Sequence, residues 1–189
     1  MKNSDSQISQ AAMAQFAKYG IRKTTMQDVA DEAGVSRQTL YNRVPNKDAL
    51  LQLVARCYFE DIMMRCVDDV SEAVDLSAAL DVLIGYFVKE PWQTIHAMPE
   101  AGDFEAATDK AIAGEVEKAT AKKMTIVSET ITHFYDGYDE RKAQDIARFF
   151  CATASGVKSE AKSAAELETL CDVMKASLLA TLHALREAA

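Results

Sequence analysis

Between residues 25 and 47 the hydrophobic and polar positions alternate with helical spacing, and a glycine interrupts the pattern. Thr25 and Asp28 are spaced as a capping box, in which each side chain accepts the other's backbone N–H at a helix N-terminus. Gly34 follows the last periodic residue, where the chain has to turn with positive φ. The apolar positions recur at i, i+3, i+4 and i+7: Met26, Val29, Ala30 and Ala33.

A second short helix is predicted directly after this turn. Ser36 is a typical N-cap, Leu40 and Val44 are the inward-facing positions, and Pro45 ends the helix because a helix rarely continues past the residue before a proline. Two short helices joined by a small-Gly-apolar turn form a helix-turn-helix, whose second helix ordinarily enters the DNA major groove.

The remaining pattern is helical throughout and predicts an all-α chain of about nine helices. No apolar run approaches the ~18 residues of a transmembrane helix. Leu167, Cys171, Met174, Leu178 and Leu182 step by three or four near the C-terminus, a seam of coiled-coil type. The predicted helices outside the helix-turn-helix cover about 6–19, 46–70, 75–87, a short piece between Pro91 and Pro99, 105–135, 139–155 and 164–185, with a polar break at 156–163.

The outer faces of the second short helix carry side chains that suit nucleic-acid contacts. Arginine can pair with guanine through two hydrogen bonds, and glutamine or asparagine can do the same with adenine. Hydroxyl groups can hold phosphate oxygens. The outward residues are Arg37, Gln38, Thr39, Tyr41, Asn42 and Arg43.

The N-terminal quarter of the chain resembles the TetR (tetracycline-repressor-like) family of bacterial transcription regulators. This chain has Val44 where the family more often has an aromatic residue, and Val44 is still an apolar side chain that can pack inward. It has Asn46 where the family usually has Ser, and Asn46 can still cap a helix. The matching pieces are residues 16–20, Thr25, residues 28–30, residues 33–36, residues 39–41 and residues 46–51.

The resemblance implies a helix-turn-helix head at residues 1–48 and a helical ligand-binding and dimerisation domain at residues 49–189. In the head, Tyr41 and Lys47 would clamp the DNA backbone while Arg37, Gln38 and Asn42 face the groove. The nine residues expected to bind DNA are Thr25, Ser36, Arg37, Gln38, Thr39, Tyr41, Asn42, Arg43 and Lys47.

In the larger domain the resemblance implies an effector pocket and a dimer interface formed by the last two helices as a four-helix bundle. The alternatives are that the apolar pocket residues are ordinary core and that the last two helices only close their own domain. Candidate pocket residues are Met63, Met64, Phe87, Trp92, His96, Phe104, Met124 and Phe134, and candidate interface residues are Ile146, Phe150, Cys171, Met174, Leu178 and Leu182.

The net charge of −8 is distributed unevenly along the 189-residue chain. Residues 1–47 hold seven Lys/Arg against four Asp/Glu, a net of +3, and the remainder carries −11. The positive charge lies where phosphates would be met, and the acidic remainder disfavours other orientations on DNA.

The sequence shows no cofactor, catalytic or metal signature: no Gly-rich phosphate loop, no GxSxG and no paired Cys/His spacing among its four cysteines. The polar N-terminus lacks a signal core, so we expect a cytoplasmic protein that does not enter a membrane. The expected function is a homodimeric repressor that binds a palindromic operator and is released by a small-molecule effector. The alternative is an effector-independent regulator whose large domain only dimerises.

Overall fold

The computed structural model describes residues 2–99, 102–135 and 139–187, and within them the chain is α-helical with no strand. This confirms the all-α prediction. The described residues form nine α-helices and one π-helical turn between α5 and α6. The helices are α1 (Lys2–Tyr19), α2 (Met26–Glu32), α3 (Arg37–Arg43), α4 (Lys47–Ser71), α5 (Leu76–Ile84), α6 (Glu90–His96), α7 (Gly102–Phe134), α8 (Glu140–Glu160) and α9 (Ala164–Glu187), with the π turn at Gly85–Lys89.

By its internal contacts the chain divides into two compact units. The first comprises residues 1–61 and 94–119, and the second comprises residues 62–93 and 120–189. The head boundary predicted after residue 48 lies inside the first unit and stays a prediction. None of the described helices is long and apolar enough to cross a membrane.

In the first unit, α1, α2 and α3 pack around a common apolar core. Ile8 and Phe16 of α1 and Leu40 of α3 are all but inaccessible to solvent, at 0%, 1% and 0% exposure. Two turns between these helices require positive φ, and both are glycines: Gly20 at +82° and Gly34 at +64°. The turn glycine predicted from the sequence is therefore confirmed.

Helix α4 begins where the sequence predicted, because Asn46 caps it. The Asn46 side-chain oxygen accepts the N–H of Ala49 at 2.8 Å. Neither glycine nor proline interrupts the 25 residues from Lys47 to Ser71, and the helix is continuous over that length.

In the second unit the structure corrects two predicted boundaries around Pro91. The helix predicted through Phe87 ends at Ile84 and continues as the π turn Gly85–Lys89 into α6. Pro91 does not bound a separate piece; it lies buried in α6, directly after the π turn through which the helix continues.

Helix α8 also runs five residues further than predicted, to Glu160 instead of Ser155. Gly156, taken as the start of a polar break, is helical. A glycine within a helix costs only about 1 kcal/mol relative to alanine, and tertiary contacts on its C-terminal side offset this. Val157 is buried, and the Lys158 ammonium donates to the Phe87 carbonyl.

Candidate functional site

Two capped helices build the helix-turn-helix of the first unit. The Thr25 hydroxyl accepts the Asp28 N–H at 3.2 Å, and the Asp28 carboxylate accepts the Thr25 N–H at 2.7 Å, a complete capping box. The Thr25 N–H and the Thr25 hydroxyl both donate to the Asp28 carboxylate, which lowers the pKa of Asp28. The Ser36 hydroxyl accepts the Thr39 N–H at 3.1 Å and caps α3. Thr25 and Ser36, both predicted to bind DNA, thus hold the two helix N-termini in this structure.

Helix α3 is fixed on one side and open on the other. Leu40 is fully buried and Val44 is 4% exposed, so this side of α3 is fastened to the core. Tyr41 is half-buried. The remaining α3 candidates are exposed to solvent: Arg37, Gln38, Thr39, Asn42 and Arg43.

The exposed side chains of α3 are ordered by contacts with one another. The Gln38 amide nitrogen donates to the Asn42 side-chain oxygen at 2.9 Å, which holds two amides side by side. The Arg37 guanidinium lies 5.3 Å from the centre of the Tyr41 ring, a cation–π arrangement. A base edge approaching α3 would therefore meet a partly preformed surface of donors and acceptors.

At the C-terminal end of α3, Arg43 is joined to the first helix. Its guanidinium lies 3.1 Å from the Asp5 carboxylate, and the Arg56 guanidinium lies 3.9 Å from the same carboxylate. The five N–H donors of an arginine exceed what one carboxylate uses, so this pair orients Arg43 and still permits a phosphate contact.

Lys47, which the resemblance implied would clamp the DNA backbone, lies against backbone carbonyls in the structure. Its ammonium donates to the carbonyls of Ile21 at 2.5 Å, Thr24 at 2.8 Å and Arg22 at 3.4 Å. An ammonium has three donors, and all three are directed at the connector between α1 and α2. Burial lowers the pKa of Lys47. In this conformation Lys47 fastens that connector, and its contact with a phosphate stays a prediction.

Known proteins match both the helix-turn-helix region and the fold of this chain. The family model for bacterial regulatory proteins of the tetR family matches residues 8–54, which include α2 and α3. The fold of nearly the whole chain matches a transcriptional regulator from Rhodococcus sp. RHA1, at 19% identity over 94% of this chain and 96% of that one, with a TM-score of 0.68. A TetR transcription regulator from Haloarcula marismortui matches equally well, at 19% identity over 95% and 98% of the two chains, with a TM-score of 0.68.

The helix-turn-helix region, residues 8–54, is of the TetR type. Among curated relatives, the HTH-type transcriptional repressor KstR2 of Rhodococcus jostii is 30% identical over 69 residues, 36% of this chain and 34% of that protein. The probable acrEF/envCD operon repressor of Escherichia coli K12 is 43% identical over 44 residues, 23% of this chain and 20% of that protein. The matched region thus spans about a third of the first relative's length.

The effector-pocket candidates are not all in one environment. Met63, Phe87 and Trp92 are buried, whereas Met64 is 59% exposed. His96 is also exposed, Met124 and Phe134 are half-buried, and the side chain of Phe104 lies outside the described residues. A side chain as exposed as Met64 does not line an interior site, so the structure supports only part of the predicted set.

The dimer-interface candidates are all buried within the single chain. They were chosen for their apolar periodicity, and in the structure that periodicity marks the packing of α8 and α9 within the second unit. Such side chains present almost no surface to a second subunit, and the interface itself stays a prediction. The exposed fractions are 7% for Ile146, 1% for Phe150, 2% for Cys171, 3% for Met174, 1% for Leu178 and 0% for Leu182.

The four cysteines have raised thiol pKa values, and burial is the largest cause at each. The pKa of Cys66 is raised to about 12. Reactive thiols ordinarily have a lowered pKa, so none of the four has the environment typical of a reactive cysteine.

Sequence reasoning overlooked two lysines, Lys123 and Lys158. The sequence did contain a signal for them, because each lysine occupies a position in an apolar stripe whose members are four residues apart. On α7 the stripe continues from Lys123 to Val127 and Ile131, and on α8 Lys158 follows Phe150 and Ala154. Both lysines are half-buried.

Proposed function

We propose that this protein is a homodimeric transcriptional repressor that binds a palindromic operator through α3 and is released by a small-molecule effector. One observation carries the proposal: Leu40 fastens α3 to the core while Arg37, Gln38 and Asn42 are exposed on its outer faces. A helix held in this way can enter a major groove without losing its support.

Repression is supported by the names of the relatives. The curated proteins that match part of this chain are described as a repressor and a probable repressor. A dimer with two-fold symmetry would place its two heads on half-sites about one helical turn apart, ~34–36 Å, or a multiple of it.

Release by an effector requires that the effector bind one conformation of the dimer better than the other. A coupling of about 1–3 kcal/mol would change operator affinity by about 5–150-fold. In the second unit, the buried aromatic residues Phe87 and Trp92 are candidates for the apolar wall of an effector site.

The experiment that tests the proposal is selection of bound duplexes from a random pool, with the wild type, Gln38→Ala and Asn42→Ala. We expect a palindromic consensus from the wild type. Each variant should relax the preference at particular base pairs, because a bidentate amide–adenine contact contributes about 1–3 kcal/mol of discrimination.

The matched control is Gln93→Ala, which removes an exposed amide from α6 in the second unit. Its selected consensus should equal that of the wild type. Profiles for Gln38→Ala and Asn42→Ala that are indistinguishable from the wild type would refute base reading by α3. A wild-type pool without two-fold symmetry would refute the palindromic dimer.

A further inference from the structure

Two lysine ammonium groups meet at Phe87 in the second unit, although they come from different helices. Lys158 of α8 donates to the Phe87 carbonyl oxygen at 3.3 Å. Lys123 of α7 places its ammonium 5.5 Å from the centre of the Phe87 ring. Phe87 thus has one ammonium group at its backbone carbonyl and a second ammonium group near its ring.

The surroundings of this pair are apolar and aromatic. The Phe87 ring is 1% exposed and packs edge-on against Phe150, with ring centres 6.4 Å apart. Trp92 is also buried and donates from its indole N–H to the carbonyl of Ala161, just after α8 ends, at 3.1 Å. The two ammonium groups therefore lie beside an aromatic cluster that could receive the apolar part of a ligand.

Burial disfavours the charged form of Lys123 and of Lys158. Burial is the largest cause lowering the pKa of both lysines, and Lys158 is lowered to about 8. The Lys123 charge lowers the pKa of Lys158 further, and the Cys151 thiol acts in the opposite direction. Strongly perturbed groups of this kind are more frequent at functional sites than elsewhere.

Other lysines of the same unit are arranged differently. Lys89 is paired with the Glu168 carboxylate, and Lys175 lies 2.6 Å from the Asp81 carboxylate. Lys158, in contrast, donates to a neutral carbonyl. A carboxylate adds the attraction between opposite charges to the hydrogen bond that a neutral carbonyl accepts, so an incoming carboxylate would compete well for this donor.

The backbone at this point is also unusual. Phe87 lies in the π turn Gly85–Lys89 between α5 and α6. π turns within α-helices are rare and are frequently found at functional sites. A ligand that took the Lys158 donor from the Phe87 carbonyl would act directly on this turn.

We propose that the effector is an organic carboxylate, an apolar molecule whose anionic group is bound by Lys123 and Lys158 beside Phe87. This rests on the proposed function in that it names the chemical class of the effector. The two ammonium groups would bind the carboxylate, and the neighbouring aromatic cluster would take the apolar body.

The test measures dissociation constants by calorimetry for octanoate and phenylacetate, each compared with its neutral alcohol, octanol or phenylethanol. We expect the wild-type protein to bind at least one carboxylate about tenfold or more tighter than the matching alcohol. The double variant Lys123→Met with Lys158→Met should lose this preference and bind both members of a pair alike.

Two further variants serve as controls. Lys122→Met removes an exposed charge from the neighbouring position of α7 and should leave the preference unchanged. Lys158→Arg keeps the positive charge and should retain most of the preference. Melting curves without ligand show whether each variant is folded.

The proposal is overturned if the wild type binds no carboxylate better than its alcohol, or if the double variant keeps the preference. Operator binding is measured separately on the same samples. Intact operator binding without carboxylate preference overturns only this inference. Lysine-dependent carboxylate binding in a protein that binds no duplex supports this inference and overturns the repressor function instead.

Discussion

At the scale of single residues, the role of a lysine in this protein is decided by what its ammonium meets. Lys47 meets three backbone carbonyls and holds a connector. Lys175 meets a carboxylate at 2.6 Å, and Lys158 meets one carbonyl next to an aromatic cluster. The sequence presents all three as the same side chain, so only their neighbours distinguish a structural lysine from a candidate ligand-binding one.

Replacement of Lys47 by methionine tests the structural role, because methionine keeps an apolar chain of similar length and removes the ammonium. Hydrogen bonds to charged groups contribute about 1.5–3 kcal/mol each, and the partly exposed position reduces this. We expect Lys47→Met to lower the free energy of unfolding by roughly 1–3 kcal/mol, measured by urea denaturation.

The control is Lys18→Met, which removes an exposed lysine from α1 and should change stability by less than about 0.5 kcal/mol. The resemblance predicts instead that Lys47 contacts a phosphate, and its loss would then lower the slope of log affinity against log salt by about one contact. A lowered slope together with unchanged stability would contradict the structural role.

At the scale of elements, α3 has only seven residues and cannot be stable alone, since isolated helices shorter than ~12–15 residues are marginal in water. Three features compensate for its length. Ser36 caps its first turn, Leu40 anchors it in the core, and Gly34 lets the chain leave α2 at the required angle. The orientation of the proposed reading helix therefore depends on the turn before it.

Alanine substitutions at two glycines separate the backbone effect from packing. A Cβ at Gly34 or at Gly114 would meet no other atom within 4 Å, but Gly34 has a φ of +64° and Gly114 lies within α7. We expect Gly34→Ala to destabilise the protein by about 1–2 kcal/mol because of the left-handed conformation. Gly114→Ala should stabilise it by about 0.5–1 kcal/mol.

Thermal and urea denaturation of the two variants check these expectations. The glycine pair is informative because both changes add the same methyl group. Equal effects at the two positions would show that backbone conformation at residue 34 is not what constrains the turn.

At the scale of the whole molecule, α8 and α9 keep exposed apolar residues that their packing within the chain leaves uncovered. Phe149 is 49% exposed and Val173 is 58% exposed. Exposed small residues follow Phe149 along α8 and Val173 along α9, and small residues let helices approach closely: Ala152, Gly156, Ala176 and Ala180. We therefore propose this surface, and not the buried seam, as the dimer contact.

Introducing a charge on this surface tests the dimer. We expect Phe149→Asp to convert a dimer into monomers, because an interface core tolerates an unpaired carboxylate poorly. Val74→Asp places the same charge at a residue that is 89% exposed before α5 and should leave the dimer intact. Light scattering coupled to size-exclusion chromatography measures both masses, and a dimeric Phe149→Asp protein would exclude this surface.

Most of the helical framework followed from the sequence because it depends on local rules. The capping box of Thr25, the Ser36 and Asn46 caps and the turn at Gly34 are short-range effects that each act within a few residues. The boundaries near Pro91 and Gly156 were predicted wrongly, because there tertiary contacts and the π turn outweighed local propensity.

By itself, then, the sequence determined an all-α chain with an outward-facing second helix in its helix-turn-helix, since periodicity and capping are encoded by neighbours along the chain. Only the tertiary structure decided that Lys47 faces carbonyls, that the α8–α9 seam is interior, and that Lys123 and Lys158 meet at Phe87. Those facts depend on residues far apart in the chain, and an apolar stripe does not specify which partner will cover it.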